Sequence, residues 1–167
     1  MEQAAEVSAL DSLHPRATPR DPRNDTSFAA AWLVAAAKHL ALGGAHEAAF
    51  ALDGPFARAA LAALARHAGC AFRDATLTCA AGSPPFAAFA VETNSGLAIW
   101  LANLTAETQP LTLSALPPTA PLTLQRLHAA TGPAFREFPG GFTDAHGQAA
   151  LRLASHEVCQ LILDSTP

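Results

Sequence analysis

The sequence has no tyrosine and only two tryptophans among its 167 residues. A sheet face that binds carbohydrate or protein needs exposed aromatics. Both tryptophans, Trp32 and Trp100, sit in apolar stripes, so a non-enzymatic β-sandwich module binding carbohydrate or protein ranks second among the readings. Lysine is nearly missing as well. Lys38 is the only one, Lys and Arg together number 10 against 14 Asp and Glu, and the formal net charge is −4. The arginines are scattered and not interleaved with aromatics. Nucleic-acid binding needs a basic surface for phosphates, so a nucleic-acid partner is not expected. No stretch approaches the roughly 20 apolar residues of a bilayer span. The closest, Phe28 to Leu42, contains Lys38 and His39, so no membrane partner is expected either. Met1 to Leu10 carries Glu2 and Glu6 and no apolar run, unlike a secretion signal; a cytoplasmic location follows by default. Cys70, Cys79 and Cys159 are odd in number and far apart, which suits reduced, mostly buried thiols.

Catalytic signatures are missing in the same way. The 7 histidines include no His-x-x-x-His pair, the spacing that puts two imidazoles on one helix face. Asp144-Ala145-His146 could hold an ion or orient a water, but turn chemistry is the commoner use of such an aspartate. There is no Gly-x-Ser-x-Gly elbow, and no glycine-rich phosphate loop precedes a helix. No metal or cofactor is expected. Asn24-Asp25-Thr26 and Asn103-Leu104-Thr105 match the glycosylation triplet, which carries little weight without a secretion signal.

What is there is mostly architecture. Apolar residues make up 50% of the chain and charged ones 14%, so disorder is not the overall expectation. Gly96 to Thr105 reads as a central strand: Leu97, Ile99 and Leu101 point one way, Ala98, Trp100 and Ala102 the other, and both sets are apolar. Asn94-Ser95-Gly96 turns the chain back onto Phe86 to Thr93, making a hairpin. Further period-two runs follow at 76–79, 111–114, 122–127, 151–153 and 159–163, with a bulge expected near Gln125-Arg126 and a long loop over 129–147. Six or seven short strands imply an antiparallel β-sandwich. Earlier in the chain, Val7 to Leu13 could be a short strand. A helix should start near Asp25-Thr26-Ser27 and carry the stripe Phe28, Trp32, Ala36, Leu40, with Leu33 and Ala37 beside it, before Gly43-Gly44. Glu47 to Leu52 suggests a short strand. Pro55 opens a second helix with Leu61, Leu64 and Ala68 on its apolar face. The expected fold class is α+β: two helices with a short strand, then the sandwich, divided at residues 1–69 and 70–167.

Two residues have a plausible site role. Asp53 would lie at the C-terminal end of a buried βα-type strand, where barrel enzymes place functional groups; a helix N-cap is the alternative. Arg23, with Asp21, could clamp an anionic or hydroxylated ligand; a solvated loop charge is the alternative.

Asp21-Pro22-Arg23-Asn24, Ser27 to Trp32 and Lys38 to Gly44 resemble the late barrel region of the D-apionate lactonase family, which is similar to clan A glycoside hydrolases. Leu97-Ala98-Ile99-Trp100-Leu101-Ala102-Asn103-Leu104-Thr105 resembles a strand of that family's C-terminal sandwich. The resemblance implies the end of a (β/α)₈ barrel followed by a structural sandwich. It implies a sugar lactone hydrolase acting on a small sugar-derived substrate, with catalytic carboxylates upstream of this chain; Arg23 and Asp53 remain the candidate substrate-binding residues. No catalytic residue is assigned to this chain. The implied partner is the missing barrel portion or a second copy of the chain. Trp100 and Leu104 are the candidates for contact between the layers.

Overall fold

The structure is a computed structural model that describes residues 21–50, 54–75 and 85–164. The strands expected at 7–13 and 76–79 lie outside those residues, as do Asp53 and Cys79.

A short 3₁₀ turn, Pro22–Asp25, leads into helix α1, Ser27–Leu42. Thr26 sits at the N-cap in an extended conformation. Its hydroxyl donates backward to the Arg23 carbonyl (2.7 Å) and does not cap the helix. At the other end Gly44 adopts φ 77°, the Ala45 N–H donates to the Leu40 carbonyl (2.9 Å) and the Gly44 N–H to that of Ala41 (3.1 Å). This double return is the usual way a glycine closes a helix. Helix α2, Pro55–Ala65, begins with a proline at its first position, where the missing N–H costs nothing. Just before it, a Cβ on Gly54 would fall 1.7 Å from the Asn24 carbonyl oxygen. The glycine lets α2 start against the 3₁₀ turn.

The strands are β1 Ala71–Asp74, β2 Phe86–Thr93, β3 Gly96–Asn103, β4 Gln109–Leu113, β5 Pro121–Leu127, β6 Arg136–Phe142, β7 Ala149–Leu153 and β8 Val158–Asp164. Six form one antiparallel sheet in the order β1-β2-β3-β8-β5-β6, and β4-β7 form a second. The class is α+β, as expected. The β2–β3 hairpin pairs in register from Phe86 with Asn103 to Thr93 with Gly96, and β8 lies on the other side of β3. Strand β3 is covered on both faces. Ala98, Trp100 and Ala102 join a core with Ala30, Ala31, Leu33, Val34 and Ala60 from the helices. Ile99 and Leu101 join a second core with Leu122, Leu124, Leu153 and Leu161. The layers are therefore helices, large sheet, small sheet. The chain's one lysine pins the first layer to the sheet edge, its Nζ 2.9 Å from Asp74 on β1.

Several expectations need correction. Of the apolar face expected on α1, Leu33 is buried, but the stripe beside it is not the face that packs. Trp32 is 50% exposed and Leu40 37%, while Ala29, Ala30, Ala31, Leu33 and Val34 are buried. In α2 it is likewise Ala57, Ala60 and Ala63 that are buried, and Leu61 is exposed. Small side chains allow two helices and a sheet to approach closely, so the alanine faces turn inward. The expected strand over 47–52 is not formed in its described part, since residues 47–50 are irregular. The expected loop over 129–147 contains a 3₁₀ turn, Ala129–Thr131, and strand β6. Pro139 is tolerated there because β6 is an edge strand, bonded only to β5. The β5 irregularity lies between Pro121 and Thr123, not near Gln125-Arg126. Leu124 and Leu127 reach opposite cores by simple alternation.

Candidate functional site

Arg23 lies in the 3₁₀ turn and is already occupied. Its Nη2 meets Asp21 at 2.7 Å and its Nε bonds both oxygens of the same carboxylate at 3.1 Å. Asp21 in turn accepts the Arg23 backbone N–H at 2.9 Å. These bonds hold the Asp21 carboxyl below the usual carboxylate range and the guanidinium above its own. The guanidinium also stacks over Phe28, 4.5 Å from the ring centroid. Phe28 meets the His156 ring edge-on at 5.2 Å. Arg23 therefore joins the start of α1 to the β7–β8 turn, with its guanidinium still open to solvent. Gly54, the neighbour of Asp53 in sequence, packs on Asn24 in the same turn.

A second constellation closes the far end of β3. Asn103 is fully buried. Its Nδ2 donates to the carbonyls of Glu107 (2.7 Å), Ala154 (2.7 Å) and Leu153 (3.3 Å). Its Oδ1 accepts the backbone N–H of Thr105 (3.0 Å) and the Thr105 hydroxyl (2.9 Å). Every hydrogen of the amide is engaged, so this glycosylation triplet is not available to a glycan. Nearby Glu157, also fully buried, accepts the Ala154 N–H at 2.7 Å. Its other oxygen lies 3.2 Å from Arg126 Nε, without the alignment of a hydrogen bond. Burial first, then the Glu157 charge, pushes the Cys159 thiol up to about 12, so this thiol is inert as a nucleophile.

Between helices and sheet, Trp100 stacks on Phe89 at 6.2 Å and meets Phe135 and His67 edge-on, each at 5.9 Å. The Gln160 carboxamide nitrogen Nε2 and His67 Nε2 lie 2.7 Å apart, in hydrogen-bond contact. Burial, then Arg66, lowers the His67 pKa; burial, then Arg23, lowers that of His156. A histidine lowered on folding takes its proton more readily in the unfolded chain. Stability should therefore be intact above about pH 6.5 and decline as the pH falls below it. Thermal melts at about pH 7.5 and about pH 5 should show the drop. The double variant His67→Gln/His156→Gln should flatten it, and an equal slope in that variant would refute the assignment.

Asp144 has the turn role: its Oδ1 accepts the N–H groups of His146 and Gln148, both at 2.8 Å. Among the described residues no group of three or more His, Cys, Asp or Glu could hold a metal ion. The polar groups of Asn103 are thus engaged in joining segments, whereas the Arg23 side chain, bonded to Asp21, stays 62% exposed. Sequence reasoning missed Glu157 and Arg126; the only available signal was a carboxylate leading straight into the apolar run of β8. It also overlooked phenylalanine. Phe142 on β6 is 71% exposed and Phe138 39%, so exposed aromatics on a strand do exist. Of the two residues proposed for contact between layers, Trp100 makes it and Leu104 is exposed.

Layering and topology define a two-sheet, immunoglobulin-like sandwich with a helical pair on one face. Residues 85–161 match the family model described as D-apionate lactonase, C-terminal immunoglobulin-like domain. That span takes in β2 to most of β8, including the strand whose sequence carried the resemblance. No curated protein matches the chain. Among solved structures, a glycoside hydrolase family 30 subfamily 8 xylanase, Xyn30A, from Clostridium acetobutylicum is similar over 84% of this chain and 40% of that one, at 9% identity and a TM-score of 0.59. The catalytic domain of GH30 xylanase C from Talaromyces cellulolyticus is similar over 51% of this chain and 19% of that one, at 14% identity and a TM-score of 0.42. A GH30 endoxylanase from Clostridium papyrosolvens C71 gives 52% and 22%, at 9% identity and a TM-score of 0.42. The chain thus spans less than half the length of these structures, and identities this low speak to fold alone.

Proposed function

We propose that this chain is the C-terminal part of a glycosidase-like sugar lactone hydrolase, with residues 1–69 as the last units of a (β/α)₈-type barrel and 70–167 as a structural sandwich. In the reaction, water adds to the lactone carbonyl and the ring C–O bond breaks, leaving a hydroxy acid. The carboxylates that manage the protons come from outside this chain, and Arg23 and Asp53 lie on the substrate side. The observation that carries the reading is the joint likeness: residues 85–161 match the lactonase domain, and 84% of the chain, more than the sandwich alone, superposes on one glycoside hydrolase. Trp32, Leu40, Leu42 and Leu61 leave apolar surface on the helical layer, which suits contact with the remaining barrel or with a second copy. The free thiols of Cys70 and Cys159 fit a reducing, cytoplasmic setting.

The purified chain, assayed on aldonolactones, should show no turnover above spontaneous hydrolysis. Turnover that disappears in Asp53→Ala would overturn the reading, because the chemistry would then reside here.

A further inference from the structure

Each sheet has two edge strands, and three of the four are blunted against further pairing, as edges commonly are. Strand β1 is short and carries Arg73 and Asp74, paired with Glu92 and Lys38. Strand β6 has Pro139 and β4 has Pro110, and proline cannot donate to a ladder. Strand β7 has no proline, and Arg152 is its one charge.

The open side of β7 has a definite direction. Arg152 stands opposite Pro110, and Ala150 opposite Thr112. Pro110 has no N–H, so these are the pairs that do not exchange ladder bonds, and their backbone groups point away from β4. The Arg152 carbonyl agrees: it accepts Arg126 Nη2, from β5, at 2.9 Å. Among the described residues no backbone group outside the ladder bonds the Arg152 N–H, or the N–H or carbonyl of Ala150. Open space lies beside them. A groove of about 370 Å³ runs along Ala149, Ala150 and Leu151, with Leu122 and Gly140 also lining it.

This edge is recessed, because β5 and β6 of the larger sheet run beneath it. The edge of a second copy's sheet would strike β6 before it met β7. A single extended segment avoids that collision. At about 4.8 Å from β7 it would lie about 10 Å above β5 and β6. There it would face Leu122 and Leu124, and Phe138, which lies opposite Leu124. The two ends of the recess differ in charge. Exposed Arg152 lies at the C-terminal end of β7, as does exposed Arg136, which stands opposite Arg126 in register. Exposed Asp144 lies at the other end. A segment antiparallel to β7 complements this with an acidic residue first and a basic residue last.

We propose that the open edge of β7 takes up an extended segment of a partner protein as a third strand of the small sheet. The segment is acidic at its N-terminal end, basic at its C-terminal end and apolar at alternate positions between. In strand addition, main-chain bonds supply affinity and alternate side chains supply selectivity. The inference is independent of the lactonase reading, since it needs neither a barrel nor a substrate.

Amide-resolved NMR of the full chain with the acetylated, amidated heptapeptide Glu-Thr-Val-Thr-Val-Thr-Lys tests it. In the free chain the Ala150 and Arg152 amides should exchange quickly. Saturating peptide should slow both by about tenfold or more and shift Leu122 and Gly140. Ala150→Pro removes an edge donor and should abolish the saturable response. Arg136→Glu changes an exposed side chain, so it should keep the wild-type melting temperature. It should weaken binding about two- to fivefold, the loss of one surface charge pair. Absence of saturable shifts, or wild-type affinity in both variants, would overturn the proposal. So would slow exchange of the Ala150 and Arg152 amides in the free chain, because the edge would then already be covered by this chain's own residues or by a second copy.

Discussion

Replacing Trp100 with alanine should destabilise the protein by about 3–5 kcal/mol, the cost of truncating a fully buried large aromatic. Trp100 has no exposed surface. It is in contact with Phe89, Phe135 and His67 at once, and its core includes residues from both helices and from β2, β3, β5 and β8. The cavity would open at the junction of the helical layer and the sheet, where several elements would have to move together to fill it. Trp100→Phe should cost much less, about 1.5 kcal/mol or below. Phenylalanine can still stack on Phe89, and it removes an indole N–H that is buried without a partner. Guanidinium denaturation of both variants checks the pair, with amide exchange alongside. In Trp100→Ala, exchange should rise first in α1 and β2, and least in β4 and β7. A loss below about 1 kcal/mol for the alanine variant would mean that the layers are held together elsewhere.

The same residue shows what could be read in advance. Strand β3 declared itself because both alternating sets are apolar, and only a strand between two layers needs that. The hairpin followed from Asn94-Ser95-Gly96. The helices were legible as helices but not as faces. In α1 the large residues Phe28, Trp32 and Leu40 draw the eye to a spacing of four, yet the buried face is Ala29, Ala30, Ala31, Leu33 and Val34, three of them alanines whose small size carries no directional signal. Strand β6 was hidden by Pro139-Gly140-Gly141, a turn-like string made tolerable by an edge position and a tight approach to Leu122. The site suffered more than the fold. Arg23 and Asp21 are near neighbours, so their link could be guessed. The Arg126–Glu157 pair joins β5 to the residue before β8, and no local pattern announces it. Counting tryptophan and tyrosine alone also concealed Phe142.

Asn103 is the clearest case of chemistry decided by partners about 50 positions away, and its removal is the second large effect expected. Asn103→Ala should cost about 3–4 kcal/mol. It would remove the donor to the buried Leu153 carbonyl and to the part-buried carbonyls of Ala154 and Glu107, the last of which keeps the Thr105 hydroxyl, and a stranded buried group costs about 1–3 kcal/mol before relaxation. The geometry also predicts an order. Asn103→Asp conserves shape but replaces the donor with a carboxylate facing the same three carbonyl oxygens. It should therefore be at least as damaging at neutral pH and recover partly in acid, where the carboxyl regains a proton to donate. Urea midpoints across pH for wild type, Ala and Asp variants measure this. If the Asp variant matched wild type at neutral pH, the amide would not be the knot tying the end of β3 to the β7–β8 turn. That turn carries His156, which meets Phe28 beneath the Arg23 guanidinium. Loosening Asn103 should therefore also reach the turn that presents Arg23, because Asn103, the β7–β8 turn and the 3₁₀ turn form one continuous chain of contacts from the sandwich to the helical layer.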